Sequence, residues 1–151
     1  HEMLAEAADE SVDLAVAVRT VVDMVRRGLA GADSNVAVTI DGSTGLVPAP
    51  VATSLALVVA ELAHNAIEHG IGEGQSGSVR VSMRRTRTHV VLEVRDDGRG
   101  LPDGFSAEAS ANLGLAIVRT VVEDDLRGTL AFGGTRGTIV TVRVPVSGKE
   151  G

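Results

Sequence analysis

The sequence has no cysteine, tryptophan or tyrosine, only two phenylalanines, and no apolar run long enough to cross a membrane. Without cysteine there is no disulfide framework and no thiolate metal site. The chain is poorly suited to binding nucleic acid, because its net charge is −6 and it has few aromatic side chains that could stack on bases. The clustered arginines are better explained as the solvated tip of a hairpin (Arg80, Arg84, Arg85 and Arg87). No signal peptide is visible. We therefore expect a cytoplasmic domain without direct contact to nucleic acid or membrane.

The chain does contain enough apolar material for one core. It has 151 residues and is 44% hydrophobic, so with few aromatics the core must consist of valine, leucine, isoleucine and alanine. No repeat or internal boundary is visible. We predict one domain over residues 13–146, preceded by the remnant of a helix or linker over 1–12 and followed by a short tail over 147–151.

Hydrophobic periodicity predicts helices that alternate with strands. The helices are expected over residues 13–29, 51–69 and 113–123, with a further short one over 3–8; Gly70 is the expected stop of the second. A strand over 36–40 precedes a short return strand at 45–47, and hairpins are expected over 79–94 and 130–144. Residues 101–111 form a predicted loop. This order predicts an α/β (α+β) two-layer sandwich, a mixed, mostly antiparallel sheet with about three helices on one face.

A polar patch ends the otherwise apolar second helix. Glu61, Asn65, Glu68 and His69 recur at spacings that share a helix face. Amide and carboxylate oxygens are ligands suited to magnesium, and a carboxylate beside a phosphoryl group can orient a nucleophile. The alternative is an ordinary solvated last turn, and the spacing alone does not decide between the two.

Three glycine-containing segments follow, each with a simple structural alternative. In Asp96–Gly100 (DDGRG) an aspartate at a strand end can accept a hydrogen bond from an exocyclic amine, but Asp-Gly is also a common turn. Asn112–Leu115 (NLGL) opens a helix whose N–H groups suit a phosphate, or it is a plain helix cap. Gly133–Thr138 (GGTRGT) is mostly turn chemistry, with Thr138 as a candidate nucleotide contact.

In this order the segments match a known family. ELAHNAIEH resembles the asparagine box of the Bergerat-fold (GHKL) ATPases, DDGRG resembles their first glycine box, NLGLAIV the second, and GGTRGT the late threonine box. The chain is most similar to the ATP-binding catalytic domain of sensor histidine kinases. The short segment over 101–112 corresponds to the ATP lid, and with NAIEHG and GLAIVRTVVE it resembles the HWE-related subclass.

The resemblance implies a Mg-ATP site and a role for each matching residue. Asn65 would coordinate Mg²⁺ and Glu61 would act as the base or orient a metal-bound water. Asp96 would accept from the adenine amine in a pocket shaped by Gly98 and Gly100. Backbone N–H groups on the phosphates would come from Leu113, Gly114 and Leu115. His69 would lie near the triphosphate, and Thr138 would lie near adenine. Many histidine kinases have a basic residue where this chain has Glu68, so neutralisation must rely on Mg²⁺, His69, Arg99 or Arg119.

The resemblance also implies partners. The γ-phosphate acceptor would be a histidine on a separate dimerisation domain of the same kinase, and a response regulator would act downstream. The alternatives are an anti-sigma-factor serine kinase of the same superfamily, which shares the N-x-x-E-H pattern, a nucleotide-switched binding module without catalysis, and an unrelated α/β domain.

Overall fold

The computed structural model describes residues 10–29, 35–71, 76–101, 105 and 112–146, and its central element is a five-stranded sheet. Along the chain the strands are β1 (Ser11–Asp13), β2 (Asn35–Gly42), β3 (Leu46–Pro48), β4 (Ser76–Arg85), β5 (His89–Asp96), β6 (Thr129–Gly133) and β7 (Thr138–Pro145). The large sheet has the order β2-β4-β5-β7-β6, and only the β2–β4 pair is parallel. The predicted mixed, mostly antiparallel sheet is thereby confirmed.

Three helices cover one face of this sheet. They are α1 (Leu14–Leu29), α2 (Ala49–Asn65) and α3 (Leu113–Arg119); α2 and α3 each run on without a break into a wider π-helical segment, Ala66–Ile71 and Thr120–Asp125. Such π-helical turns often occur at functional sites. Both segments directly follow a stretch that the sequence marks as a candidate nucleotide contact.

The core lies between the helices and alternate residues of the strands. On β4, β5 and β7 the residues that face the helices are almost fully buried aliphatics, whereas their neighbours along the strands are mostly polar. The largest fully buried side chains are all leucine or valine, as the shortage of aromatics predicts. The opposite face of the sheet carries arginine, serine and threonine, in agreement with the expected two-layer architecture.

Two sequence predictions about local structure are wrong in detail. The short strand near residue 46 was expected to return along the preceding strand, but β3 pairs with β1, in the register Ser11↔Pro48. Gly70 was expected to end the second helix, but the widened turn continues through it to Ile71, which is buried in the core. A tertiary contact, the burial of Ile71, extends the helix past a residue that usually stops one. The predictions for residues 3–8 and for most of 101–111 lie outside the described residues.

Although no apolar run of the sequence was expected to be long enough to cross a membrane, the continuous helix Ala49–His69 meets that criterion by length and composition. Its apolar residues instead face the sheet and α1, and seven of the residues of α2 are buried. It is the central helix of the domain core, and it carries the polar patch at its C-terminal end.

Candidate functional site

The carboxylate of Asp96 is the most deeply buried charged group among the described residues, with 4% of the residue exposed. It is the last residue of β5, where the strand leaves the sheet beneath α2. One carboxylate oxygen accepts the Gly98 N–H at 2.9 Å, and the Thr138 N–H also donates to the group. Burial raises the pKa of Asp96 above its ordinary value, partly opposed by these two hydrogen bonds. A buried carboxylate that retains acceptor capacity suits a ligand with a hydrogen-bond donor.

The late glycine-rich turn packs directly against this aspartate. Thr138 is the cross-strand partner of Asp96 in the β5–β7 ladder. Gly137, just before it, is buried and has φ +73°, and a Cβ there would overlap the Asp96 carbonyl oxygen. Gly100 also has a positive φ and approaches the Gly137 carbonyl oxygen. The Asp96–Gly100 loop and the β6–β7 turn therefore form one unit, and only glycine at 137 permits the contact.

The second aspartate, Asp97, faces away from this pocket. Its two carboxylate oxygens accept from the Ser78 backbone N–H at 2.8 Å and from the Ser78 hydroxyl at 3.1 Å. The Asp97 N–H donates back to the Ser78 carbonyl oxygen at 3.3 Å. The Ser78 hydrogen bonds hold the pKa of Asp97 below its usual range. Asp97 thus ties the loop to β4, which leaves Asp96 as the carboxylate that is available to a ligand.

Glu61 lies against the start of α3. A Cβ added at Gly114 would overlap the carboxylate of Glu61 and would lie 3.1 Å from the side-chain oxygen of Asn112. Asn112 caps the helix, and its side-chain oxygen accepts the Leu115 N–H at 3.1 Å. Glycine at 114 is what allows the asparagine-box carboxylate and the second glycine segment to meet. Because the cap engages the Leu115 N–H, a phosphate there would have to replace Asn112.

Asn65, one turn after Glu61, is the last residue of α2 before the helix widens. Its side-chain Nδ2 is buried and has no hydrogen-bond partner within the described structure, and the same holds for Nδ1 of the neighbouring His64. Buried polar atoms are almost always paired, so an orphaned amide one turn beyond Glu61 fits a site that a ligand completes. The amide oxygen and nitrogen together suit a divalent cation and an anionic oxygen.

Glu68, the residue that departs from the family pattern, lies between two imidazoles. Its carboxylate oxygens are 3.7 Å from Nε2 of His64 and 3.5 Å from Nε2 of His69. His69 is largely exposed, and its Nε2 is turned toward the Glu68 carboxylate. Of the two arginines proposed for phosphate neutralisation, Arg99 is exposed, and Arg119 is half-buried with Glu123 at 3.5 Å.

The described site residues thus form two groups. Asp96, Gly98, Gly100 and Thr138 meet at the end of β5, and Glu61 meets Gly114 where α2 passes the start of α3, with Asn65 one turn further along α2. Leu113 is exposed beside the second group, whereas Leu115 points into the core.

The sequence reasoning missed three contributors. Gly137 was interpreted as plain turn chemistry, although its position directly before Thr138 is the signal that could have identified it. Asp97 was given no role of its own, although strand alternation places it on the opposite face from Asp96, where it binds Ser78. Phe105 was not among the predicted contributors, but the centre of its ring lies 5.2 Å from that of Phe132 on β6, which connects residue 105 to the sheet.

A family model described as histidine kinase-, DNA gyrase B-, and HSP90-like ATPase matches residues 51–148. The chain belongs to this family. Both groups of site residues lie within the matched range. The buried carboxylate of Asp96 and the orphaned amide of Asn65 therefore belong to the ATPase-family part of the chain. The ATP-binding assignment drawn from the four sequence segments is confirmed at this level.

Individual relatives narrow the family to histidine kinases. The sensor histidine kinase PdtaS of Mycolicibacterium smegmatis is 38% identical over 97% of this chain, which corresponds to 30% of the relative. PdtaS of Mycobacterium tuberculosis has the same identity over the whole chain and the same share of the relative. This ATPase-family domain therefore spans about a third of the length of these curated relatives, and it corresponds to the ATP-binding catalytic domain of a sensor histidine kinase.

Solved structures agree with this assignment. The histidine kinase domain of the Erythrobacter litoralis EL346 blue-light activated histidine kinase superposes with a TM-score of 0.78 at 27% identity, covering 89% of this chain and 61% of that one. The histidine kinase ThkA, in a complex with the response regulator protein TrrA, superposes with a TM-score of 0.75 at 20% identity over 99% of this chain and 47% of that one. The second likeness shows the shared fold.

Proposed function

We propose that this domain binds Mg-ATP across the two groups of site residues, with adenine at the end of β5 and the phosphates between α2 and the start of α3. The observation that carries the proposal is the buried carboxylate of Asp96, held by two backbone N–H groups at the end of the central strand β5. The roles assigned to single residues below rest on the geometry together with the family resemblance.

At the adenine end, ionised Asp96 accepts the exocyclic amine. The Gly98 and Thr138 N–H groups fix the orientation of the carboxylate before the nucleotide arrives, so little ordering remains to be done on binding. Gly98, Gly100 and Gly137 bring backbone close to the carboxylate, which suits a flat ring. A hydrogen bond to a buried charged acceptor is worth about 1.5–3 kcal/mol, enough to discriminate adenine from a ring that lacks the amine.

At the phosphate end, Asn65 would hold Mg²⁺ through its amide oxygen, and the orphaned Nδ2 would donate to a phosphate oxygen. Bound magnesium would neutralise charge on the phosphates, which Glu68 does not do. The N–H groups of Leu113 and Gly114, at the positive end of a helix that continues to Asp125, would face the phosphates. His69 would need to leave Glu68 to reach them.

Glu61 would orient the reacting groups. Its carboxylate lies at the start of α3, where the phosphates are expected, and it is the acidic side chain on the asparagine-box helix that touches the second glycine segment. From this position it can accept a proton or hold a water, in either case beside the phosphoryl group.

In the whole protein we propose that the γ-phosphate passes to a histidine of a separate dimerisation domain, and from there to a response regulator. The complex of ThkA with its response regulator supports this partnership by analogy. We also propose a cytoplasmic location, because ATP and a response regulator are both found there. An anti-sigma serine kinase and a non-catalytic module have no observation in their favour.

Calorimetry with ATP, in the presence and absence of magnesium, tests the site. The parent domain should bind Mg-ATP, and Asn65→Ala should lose the magnesium-dependent part of the affinity while it still binds adenosine. A domain that is folded by circular dichroism but binds no nucleotide would contradict the proposal. If Asn65→Ala kept the magnesium dependence of the parent, Asn65 would not be a ligand of the metal.

Phosphotransfer is tested separately with γ-labelled ATP and a dimerisation domain added in trans. Acid-labile, base-stable label on the added domain is expected for phosphohistidine. Acid-stable label on a serine, or no transfer by a domain that binds Mg-ATP, would contradict the proposed reaction and leave the nucleotide site intact.

A further inference from the structure

A concave surface lies at the β2 edge of the sheet, away from the proposed nucleotide site. A cavity of about 540 Å³ opens between α1 and β2. We name it the α1–β2 groove and define it by its lining (Arg19, Thr20, Val22, Asp23, Arg26, Arg27, Val38 and Ile40). None of the proposed nucleotide contacts is among these residues. β4 separates β2 from β5, which carries Asp96, so the groove is distinct from the nucleotide site.

The floor of the groove is the helix-facing side of an edge strand. Val38 and Ile40 are only partly buried, although the corresponding residues of β4 are fully buried. β2 pairs with β4 along one edge, and no strand in the described ranges pairs with its other edge. An unpaired edge presents free backbone N–H and C=O groups and is a template for one more strand.

This edge also lacks the usual protection. Within Asn35–Gly42 there is no proline and no lysine, and the one charged residue, Asp41, is paired with Arg80 at 2.7 Å. Exposed edges normally carry such residues to prevent pairing with another chain. Their absence here indicates an edge that is open to pairing.

The rim of the groove is positively charged. Arg26 and Arg27 share Asp23, at 2.9 and 3.2 Å. Arg19, on the same helix, has no carboxylate partner within the described structure. Three cations and one anion line the groove in a chain whose net charge is −6. The local charge thus has the opposite sign to that of the whole chain and complements an acidic partner.

We propose that the α1–β2 groove binds an extended acidic segment of a partner protein, which adds to β2 as a sixth strand beneath α1. Its backbone would pair with the free edge of β2. Its helix-facing side chains would lie with their carbon stems on Val38 and Ile40 and their carboxylates on the arginine rim. Arg19 would gain the most from an ion pair with the peptide, because Arg26 and Arg27 already have Asp23 as a partner.

The test uses a soluble peptide of alternating glutamate and threonine, long enough to span β2, added to the ¹⁵N-labelled chain. The peptide should bind and shift the amide signals of residues 36–40, and bound Mg-ATP should not displace it. The triple variant Arg19→Ala, Arg26→Ala, Arg27→Ala should bind it about tenfold more weakly, since each exposed ion pair is individually weak and three are lost together. Arg84→Ala, an exposed arginine on the uncovered face of β4, is the matched control and should bind like the parent.

Two further peptides separate charge from strand addition. A lysine–threonine peptide of the same length tests the rim, and a glutamate peptide interrupted by proline tests the backbone pairing; both should bind weakly. Equal binding of the lysine peptide, unaltered binding by the triple variant, or shifts outside β2 and α1 would overturn the proposal. Concentration-dependent dimerisation that protects residues 36–40 would overturn it too, because the edge would then pair with a second copy of the chain.

Discussion

The two ends of the proposed nucleotide site differ in how complete they are. At the adenine end, Asp96 accepts two backbone N–H groups, Asp97 is anchored on Ser78, and Gly137 is in contact with the backbone of Asp96. At the phosphate end, Asn65 has an orphaned buried amide nitrogen, and His69 is turned toward Glu68. The first end is formed without a ligand, whereas the second has a buried amide nitrogen that lacks a hydrogen-bond partner among the described residues and suits completion by a ligand.

This difference follows from the elements that build each end. The adenine end is made from neighbouring strands of the sheet. The register that pairs Asp96 with Thr138 determines which residues lie opposite each other and which face each side chain takes. The phosphate end is made from the termini of two helices that widen into π-helical segments. The N-terminus of α3 offers unsatisfied N–H groups that suit an anion, whereas α2 contributes side chains, so the geometry of this end is left to be set by the ligand.

The largest expected effect is on the adenine end. Asp96→Asn should reduce the affinity for ATP and for adenosine alike by about a hundredfold, since a charge-assisted hydrogen bond contributes about 1.5–3 kcal/mol. The free domain should not be destabilised, because the substitution removes a buried charge. Calorimetry and thermal unfolding measure the two quantities. A loss for ATP alone would mean that Asp96 does not face adenine.

The contact between Gly137 and the Asp96 backbone gives the next effect. Gly137→Ala should lower the stability by about 2 kcal/mol, because it combines a left-handed φ with an overlap on backbone atoms. Gly133→Ala, in the same hairpin, has open space around the new Cβ and is the matched control. Denaturant unfolding measures both variants. Equal midpoints would show that the two loops do not pack as described.

A smaller and more selective effect is expected at the phosphate end. Gly114→Ala should displace the Glu61 carboxylate and weaken Mg-ATP binding about fivefold, roughly the loss of 1 kcal/mol, with adenosine unaffected. Alanine is the better helix former, so the free domain should not lose stability. Gly28→Ala in α1, where nothing surrounds the new Cβ, is the control. An equal loss for adenosine would contradict the division of the site.

The pH dependence gives the smallest effect. Burial raises the pKa of Asp96 above its ordinary value, so the folded domain keeps this proton at a higher pH than the unfolded chain does. As pH rises from the unfolded to the folded pKa, stability of the free domain falls, whereas nucleotide affinity rises because the ionised form accepts the amine. Comparing binding by the parent and Asp96→Asn over this range isolates the carboxyl from protonation of adenine itself. If the pH dependence of binding were the same for the parent and for Asp96→Asn, Asp96 would not be part of the site.

Much of this could be predicted from the sequence because local pattern and tertiary structure agree. Alternation in residues 79–94 and 130–144 predicts hairpins that the structure contains, and the four ordered segments predict the family. The pairing of β3 with β1 and the continuation of α2 through Gly70 depend on contacts with distant residues, which periodicity does not report. The same is true of Gly137, whose role is set by Asp96, far away along the chain but opposite in the sheet.

Amide hydrogen exchange with and without Mg-ATP tests the central claim, that one end of the site is formed in advance and the other is completed by the nucleotide. The Gly98 and Thr138 amides, which donate to Asp96, should be protected in the free domain and change little on binding. Amides over residues 66–71 and at the start of α3 should gain protection when Mg-ATP binds. Weak protection of Gly98 and Thr138 in the free domain, with equal gains at both ends, would contradict the account.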